Sequence, residues 1–308
     1  MAESEASIRG RVMRDMIAHV TQDHLIGKKI KNGELRKKIG TVEATWKCPP
    51  YFEMTTIPLE HVTMELLSLK ENPNTDKVIL QLHGGGYVGA MRNSYRMFAG
   101  LYNEVSHGMS VLTPDYRVAP EDPYPAALED AFAAYSYLLA QGWFAEQIII
   151  AGDSAGGGLA MALCHYLKDK GMQMPCGIVA MSPWTDLTAS GESYETNFEK
   201  DPLFGKTRDS LIYNKDYVGD HDPMDAYISP LFGDFRGFPP MLIQVGSYEM
   251  LLSDSVNVAA KAREQGVKVR LSIYEGMFHI FQMAAKMLPE SKRAWVEIGK
   301  FIDVLLND

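Results

Sequence analysis

Seven small residues, Gly152-Asp153-Ser154-Ala155-Gly156-Gly157-Gly158, join the β-branched run Gln147-Ile148-Ile149-Ile150-Ala151 to the helix-like run Leu159-Ala160-Met161-Ala162-Leu163. Few folds can use such a junction. A strand that turns into a helix around one serine brings backbone atoms so close that side chains beside the serine would clash. Gly152, Gly156 and the bare methyl of Ala155 are what those sterics allow. The turn lifts the Ser154 hydroxyl to the N-terminus of a helix, where a developing negative charge is favoured.

A second strand-to-loop junction lies upstream. Val78-Ile79-Leu80-Gln81-Leu82 reads as a strand and ends in His83-Gly84-Gly85-Gly86-Tyr87. A serine that attacks a carbonyl needs backbone N–H donors aimed at the oxyanion that forms. A glycine run lets the backbone approach that oxygen with no Cβ in the way. Gly84 and Gly85, with the N–H of Ala155, are the expected oxyanion hole, and His83 is expected to brace the loop by hydrogen bonding.

Strand-like and helix-like segments alternate on both sides of these junctions. Strand 78–82 leads to a helix near 92–105, strand 110–114 to a helix over 126–140, and strand 147–151 to a helix over 156–169. Strand 177–182 runs into Trp184, after which the alternation lapses until Met241-Leu242-Ile243-Gln244-Val245. Helix 254–265, strand 268–274 and helix 290–306 complete the series, and Val62, Met64, Leu66 and Leu69 suit an early, partly exposed antiparallel strand. Such alternation predicts an α/β fold: a mostly parallel sheet, helices on both faces, and a ligand at the carboxyl ends of the strands. Both glycine junctions fall at such ends.

No Pro/Gly/Ser-rich linker divides the 308 residues, so one catalytic domain over 51–308 is expected, with an N-terminal cap segment over 1–50 and a second cap contribution from 188–225. The spacing of Ile8, Val12, Met13, Met16, Ile17 and Val20 predicts an amphipathic helix whose apolar face is buried. A net charge of −9 argues against nucleic acid or an anionic membrane as partner, and the cluster Lys28, Lys29, Lys31, Arg36, Lys37 and Lys38 reads as a solvated face. A small-molecule partner is expected, with a second copy of the chain as a homodimer the one macromolecular candidate. The acidic start Met1-Ala2-Glu3-Ser4-Glu5 lacks the pattern of a signal peptide, and no apolar stretch approaches the roughly 18 residues of a membrane span, so a cytoplasmic protein is expected. Cys48, Cys164 and Cys176 have no metal-ligand spacing, and neither a metal nor any other cofactor is expected.

A serine hydroxyl is a poor nucleophile at neutral pH and needs a base. Of the eight histidines, His279 is best placed, in the loop Glu275-Gly276-Met277-Phe278-His279 after the last strand. His19, His24, His61, His107, His165 and His221 sit in surface, helix or cap contexts. The acid that orients the imidazole belongs after strand 241–245, where Glu249 falls in the loop and Asp254 at the start of the next helix. Glu249 is the choice; Asp254, the alternative, has a plain use as a helix cap. Tyr87 and Trp184 are candidates for lining the pocket or for packing.

With His83-Gly84-Gly85-Gly86 and Gly152-Asp153-Ser154-Ala155-Gly156 in place, the chain resembles the hormone-sensitive-lipase family of carboxylesterases within the α/β-hydrolases. Asp115-Tyr116-Arg117-Val118-Ala119-Pro120-Glu121, Pro125-Ala126-Ala127-Leu128-Glu129-Asp130, Ser182-Pro183-Trp184-Thr185-Asp186-Leu187, Ser229-Pro230-Leu231-Phe232 and Pro239-Pro240 fit the same pattern. The resemblance implies an eight-stranded sheet, an N-terminal cap, short-acyl ester substrates, no cofactor, and a bracing rather than catalytic role for Asp153. Many members carry aspartate at the acid position, where this chain has Glu249. A Ser154–His279–Glu249 set serves lactone or amide hydrolysis, including deacetylation, as well as ester hydrolysis. A non-catalytic receptor on this scaffold would lack the histidine.

Overall fold

The computed structural model describes residues 5–21, 46–205, 212 and 215–307. The lysine and arginine cluster at 28–38, His24, part of the expected 188–225 cap contribution and most of the expected 1–50 cap segment lie outside the described residues.

The elements run α1 (Ile8–Thr21), β1 (Phe52–Pro58), β2 (Thr63–Leu69), β3 (Asn74–Leu82), α2 (Asn93–Val105), β4 (Met109–Asp115), α3 (Ala126–Ala140), β5 (Ile148–Asp153), α4 (Ala155–Asp169), β6 (Gly177–Met181), β7 (Met241–Gly246), α5 (Leu252–Glu264), β8 (Val269–Tyr274) and α6 (Pro289–Asn307). They form an eight-stranded sheet in the order β1-β2-β4-β3-β5-β6-β7-β8. The β1–β2 and β2–β4 pairs are antiparallel and every other pair is parallel. β5, β6 and β7 are buried at every residue, which is why they read as unbroken apolar runs rather than alternating ones. Helices cover both faces. One core holds Leu80, Ile150, Leu159, Ile178 and Ile243 with α3, α4 and α5. The other holds Ile79, Phe98, Ile149, Val179 and Ile302 with α2 and α6.

β1 is the strand that sequence pattern did not reveal. Only Phe52 of its seven residues is buried, so it carries no apolar alternation. It pairs with β2 from Phe52 opposite Leu69 to Pro58 opposite Thr63, at the sheet edge where a proline is tolerated.

α1 forms as expected, but its apolar residues divide between two sides. Met13 and Ile17 pack against Ala6, Met277, Phe278 and Leu288. Ile8, Val12 and Met16 stay exposed and border a groove of about 590 Å³ with Met287 and Leu288. The burial expected of Ile8, Val12 and Met16 is therefore corrected. At about 100° per residue, positions 8, 12 and 16 form a stripe beside that of 10, 13 and 17, and Gly10 is the position whose added Cβ would lie 2.6 Å from Met277 Cε. Glu290, itself buried, accepts from the Ser7 amide at 2.7 Å and the Ser7 hydroxyl at 3.0 Å, fixing the start of α1 to α6. Arg14 stacks over the Tyr248 ring at 4.3 Å.

Among the described residues no helix is long and apolar enough to cross a membrane, and no group of three or more His, Cys, Asp or Glu side chains is arranged to hold a metal ion.

Candidate active site

The loops leaving β3, β5, β7 and β8 converge at the carboxyl edge of the sheet. Ser154 stands between β5 and α4 with φ 54° and ψ −122°, a conformation that L residues avoid and that the crowded turn imposes. A Cβ on Gly152 would come within 2.3 Å of the Gly156 carbonyl oxygen, and one on Gly156 within 2.1 Å of the Leu82 carbonyl oxygen. The glycines are therefore obligatory for bringing β3, β5 and α4 this close.

His279 Nε2 lies 2.9 Å from Ser154 Oγ, and His279 Nδ1 lies 2.9 Å from Glu249 Oε2. The three side chains are 8 %, 6 % and 0 % exposed for Ser154, His279 and Glu249. The second carboxylate oxygen of Glu249 accepts from the Ser182 hydroxyl at 2.7 Å and the Gly246 amide at 2.5 Å. Ser182 Oγ also accepts from the Ile280 amide at 3.3 Å, so one hydroxyl touches both the acid and the chain beside His279. Ser182 had stood in the sequence only as part of Ser182-Pro183-Trp184. Its place beside Glu249 follows from the pairing of β6 with β7.

Asp254 has a different task. Its Oδ1 accepts the amides of Thr185 and Asp186, each at 2.8 Å, which anchors the loop after β6 rather than meeting His279. Burial pushes this carboxyl up to about 8, the two amide donors and Asp186 being lesser influences. Its reading as a helix cap is corrected too, because those amides belong to a loop and not to α5.

The glycine loop calls for a further correction. The Gly84 amide donates to Asp153 Oδ1 at 3.1 Å, so that donor is already spent. Asp153 is buried, and burial pushes its carboxyl up to about 7 against the opposing charge of His279 and the Gly84 hydrogen bond. The amides of Gly85, Gly86 and Ala155 have no acceptor among the described residues. Gly85 at φ +116° and Gly86 at φ +64° use the freedom that only glycine has cheaply.

His83 is a brace. It is fully buried, Nδ1 lies 2.8 Å from the Gly84 carbonyl, and its ring stacks on Tyr116 at 3.9 Å. Burial lowers its pKa to about 4, which keeps it neutral. Tyr87 and Trp184 are both buried and flank the first turn of α4, with Tyr87 stacked on Tyr217 at 3.8 Å and the Trp184 amide donating to the Ser154 carbonyl. Phe204 meets the His279 ring edge-on at 4.9 Å, a contact no sequence motif signalled.

Residues 79–283 match the family model described as alpha/beta hydrolase fold. An esterase of Acinetobacter venetianus is 38% identical over 234 residues, covering 76% of this chain and 77% of the relative. An acetyl-hydrolase of Streptomyces hygroscopicus is 38% identical over 226 residues, covering 73% and 75%. Among solved structures, that of EstE5 soaked with p-nitrophenyl butyrate has a TM-score of 0.89 at 34% identity, covering 98% of this chain and 100% of its own. An esterase from the bacterial hormone-sensitive lipase family has a TM-score of 0.84 at 33% identity, covering 99% and 100%.

Proposed function

This chain belongs to the alpha/beta hydrolase family, among the hormone-sensitive-lipase esterases, and is a carboxylic ester hydrolase; from that premise we propose that Ser154, His279 and Glu249 are its catalytic triad. The observation that carries this reading is the pair of 2.9 Å hydrogen bonds that His279 makes, one to each partner. With its proton on Nδ1, facing the carboxylate, His279 leaves Nε2 free to accept the Ser154 proton.

Ser154 Oγ bonds to the ester carbonyl carbon as its proton passes to His279 Nε2. The carbonyl π pair moves onto oxygen, where the free amides of Gly85, Gly86 and Ala155 are the donors best suited to hold it. Collapse re-forms the carbonyl and expels the alcohol, which takes the proton back from the imidazolium. Water then gives its proton to His279 as it attacks the acyl carbon, and collapse breaks the bond to Ser154 Oγ, which takes that proton back as the acid leaves. Glu249 stabilises each imidazolium from Nδ1.

We assign α1 and the described residues of 188–225 to a cap over this site, by the contacts of α1 with Tyr248 and Gly276 and of Asn197 with Ser247 and Glu249. A capped site suits small esters with acyl chains of about two to eight carbons. The acetyl-hydrolase and the butyrate-soaked esterase among its relatives bracket the short end of that range.

A p-nitrophenyl ester series from acetate to palmitate tests both points. Ser154→Ala should lose activity by several powers of ten, and an organophosphonate should label Ser154. Label on another residue, or full activity in the variant, rejects the nucleophile. A kcat/KM that climbs steadily to the longest chain, with activation at an oil–water interface, rejects the short-chain reading.

A further inference from the structure

The segment 193–205 grips the acid loop at two points. Asn197 Nδ2 donates to the carbonyls of Ser247 at 3.0 Å and Glu249 at 2.8 Å. One turn later, Asp201 Oδ2 accepts the amide of Met250 at 2.7 Å. Glu249 is thus held on its carbonyl side by one residue and on its following amide by another. The two grips are tied together, since the Asp201 amide donates to the Asn197 carbonyl at 2.8 Å.

The other oxygen of Asp201 faces the opposite way. Oδ1 accepts the amides of Leu203 at 2.8 Å and Phe204 at 3.0 Å, folding the turn that presents Phe204 to the His279 ring. The turn is tight: a Cβ on Gly205 would lie 2.3 Å from the Phe198 carbonyl oxygen and 2.4 Å from that of Asp201. Thr21, the last residue of α1, donates through its hydroxyl to the Pro202 carbonyl in the same turn. The N-terminal helix thus touches the turn that the Asp201 carboxylate, 3 % exposed, ties to the acid loop.

We propose that Asp201 is a positioning residue for the hydrolysis: its carboxylate clamps the Met250 amide and the Phe204 turn together, holding Glu249 at His279 Nδ1 and Phe204 against the imidazole ring. The proposal rests on the triad reading above. Three amide donors satisfy the ionised form of this carboxylate. Burial raises its pKa, while the positive charge of protonated His279 acts to lower it. Asp201 thus carries its charge near the ring that becomes positive during turnover. The carboxyl groups that act on His279 are then Glu249, which it meets at Nδ1, Asp201, and Asp153, whose own pKa burial pushes up to about 7.

The test compares full-length wild type, Asp201→Asn, Phe204→Leu and Glu249→Gln on p-nitrophenyl butyrate between about pH 5 and 9, with melting temperatures measured alongside. Asp201→Asn should lose about 10- to 100-fold in kcat with KM changed by less than about 3-fold, because misplacement affects the reacting geometry more than binding. The lower limb of its pH–rate profile should move to lower pH, since a negative charge facing the imidazolium is gone. Phe204→Leu should lose roughly 10-fold in kcat with that limb unmoved. Wild-type kcat and an unmoved limb in Asp201→Asn overturn the proposal. So does a lower kcat that only tracks a lower melting temperature and leaves the limb in place. If Asp201→Asn does not fold, wild-type kcat in Phe204→Leu overturns it alone. Turnover retained in Glu249→Gln instead rejects the triad reading, whatever the other variants do.

Discussion

Glu249 and Asp254 stand five residues apart, both fully or almost fully buried, and their surroundings give them opposite tasks. Glu249 accepts from a serine, an amide and His279, a set of donors suited to an ionised carboxylate. Asp254 accepts two amides through one oxygen and, with its pKa raised to about 8, holds its proton at neutral pH. Glu249→Gln should therefore cut turnover by about three to four powers of ten with the fold intact, as loss of the charge opposite the imidazolium does elsewhere. Asp254→Asn replaces a neutral group by a neutral group that still accepts both amides, and steady-state kinetics should stay within about 3-fold of wild type. An exchange of these phenotypes would make Asp254 the acid. That Ser154, His279 and Glu249 come within hydrogen-bond reach was readable because a serine between small residues, a histidine after the last strand and a carboxylate after the preceding one leave few other placements. Which glycine amides stay free was not readable. That depends on Asp153 Oδ1 reaching the Gly84 amide from the next strand, a contact between residues 69 positions apart.

At the scale of elements, the glycine loop after β3 and the turn before α4 are built as one unit. A Cβ on Gly85 would meet the Gly89 carbonyl oxygen at 2.8 Å in a backbone at φ +116°, so Gly85→Ala must move the loop. Its kcat should fall about 100-fold or more, since displacing one oxyanion donor costs that much in other serine hydrolases. Gly142 gives the control: φ is +95°, but nothing lies within 4 Å of its Cβ position. Gly142→Ala should cost about 1 kcal/mol of stability in chemical denaturation and leave kcat unchanged. Loss of activity in both variants alike would mean that general destabilisation, not the loop, sets the rate. The buried strands β5 to β7 were readable as continuous apolar runs and β2 by its alternation. β1 was not, because an edge strand with one buried residue carries no periodicity, and its pairing is set by β2. The same holds for α1, where a buried stripe and an exposed stripe lie side by side and read as one apolar face.

Over the whole molecule, buried ionisable groups make stability depend on pH in a definite direction. His83 and His165 have pKa values lowered by burial to about 4, against an ordinary value near 6.5. Unfolding at pH 4 to 6.5 therefore takes up protons at both, and each favours the native state more as pH rises through that range. Asp153 and Asp254 act the other way. Burial raises them to about 7 and about 8, so the native chain keeps protons that the unfolded chain has released above about 4. The two pairs oppose each other up to about pH 6.5, where the histidines cease to count. Above it only the carboxyls remain, and stability should fall as pH rises to about 8, on the order of 1 kcal/mol per pH unit for each group still protonated in the native state. Calorimetry at intervals from pH 6 to 9 should show a melting temperature that declines across this window and then levels. Asp254→Asn should flatten the upper part of the decline, because it removes the group with the higher pKa while retaining its amide contacts. A melting temperature that rises between pH 6.5 and 8, or a decline unchanged in that variant, would mean that these buried carboxyls are already ionised in the native chain. The strained turn of Ser154 and the loop after β6 would then be held by two buried charges rather than two buried acids.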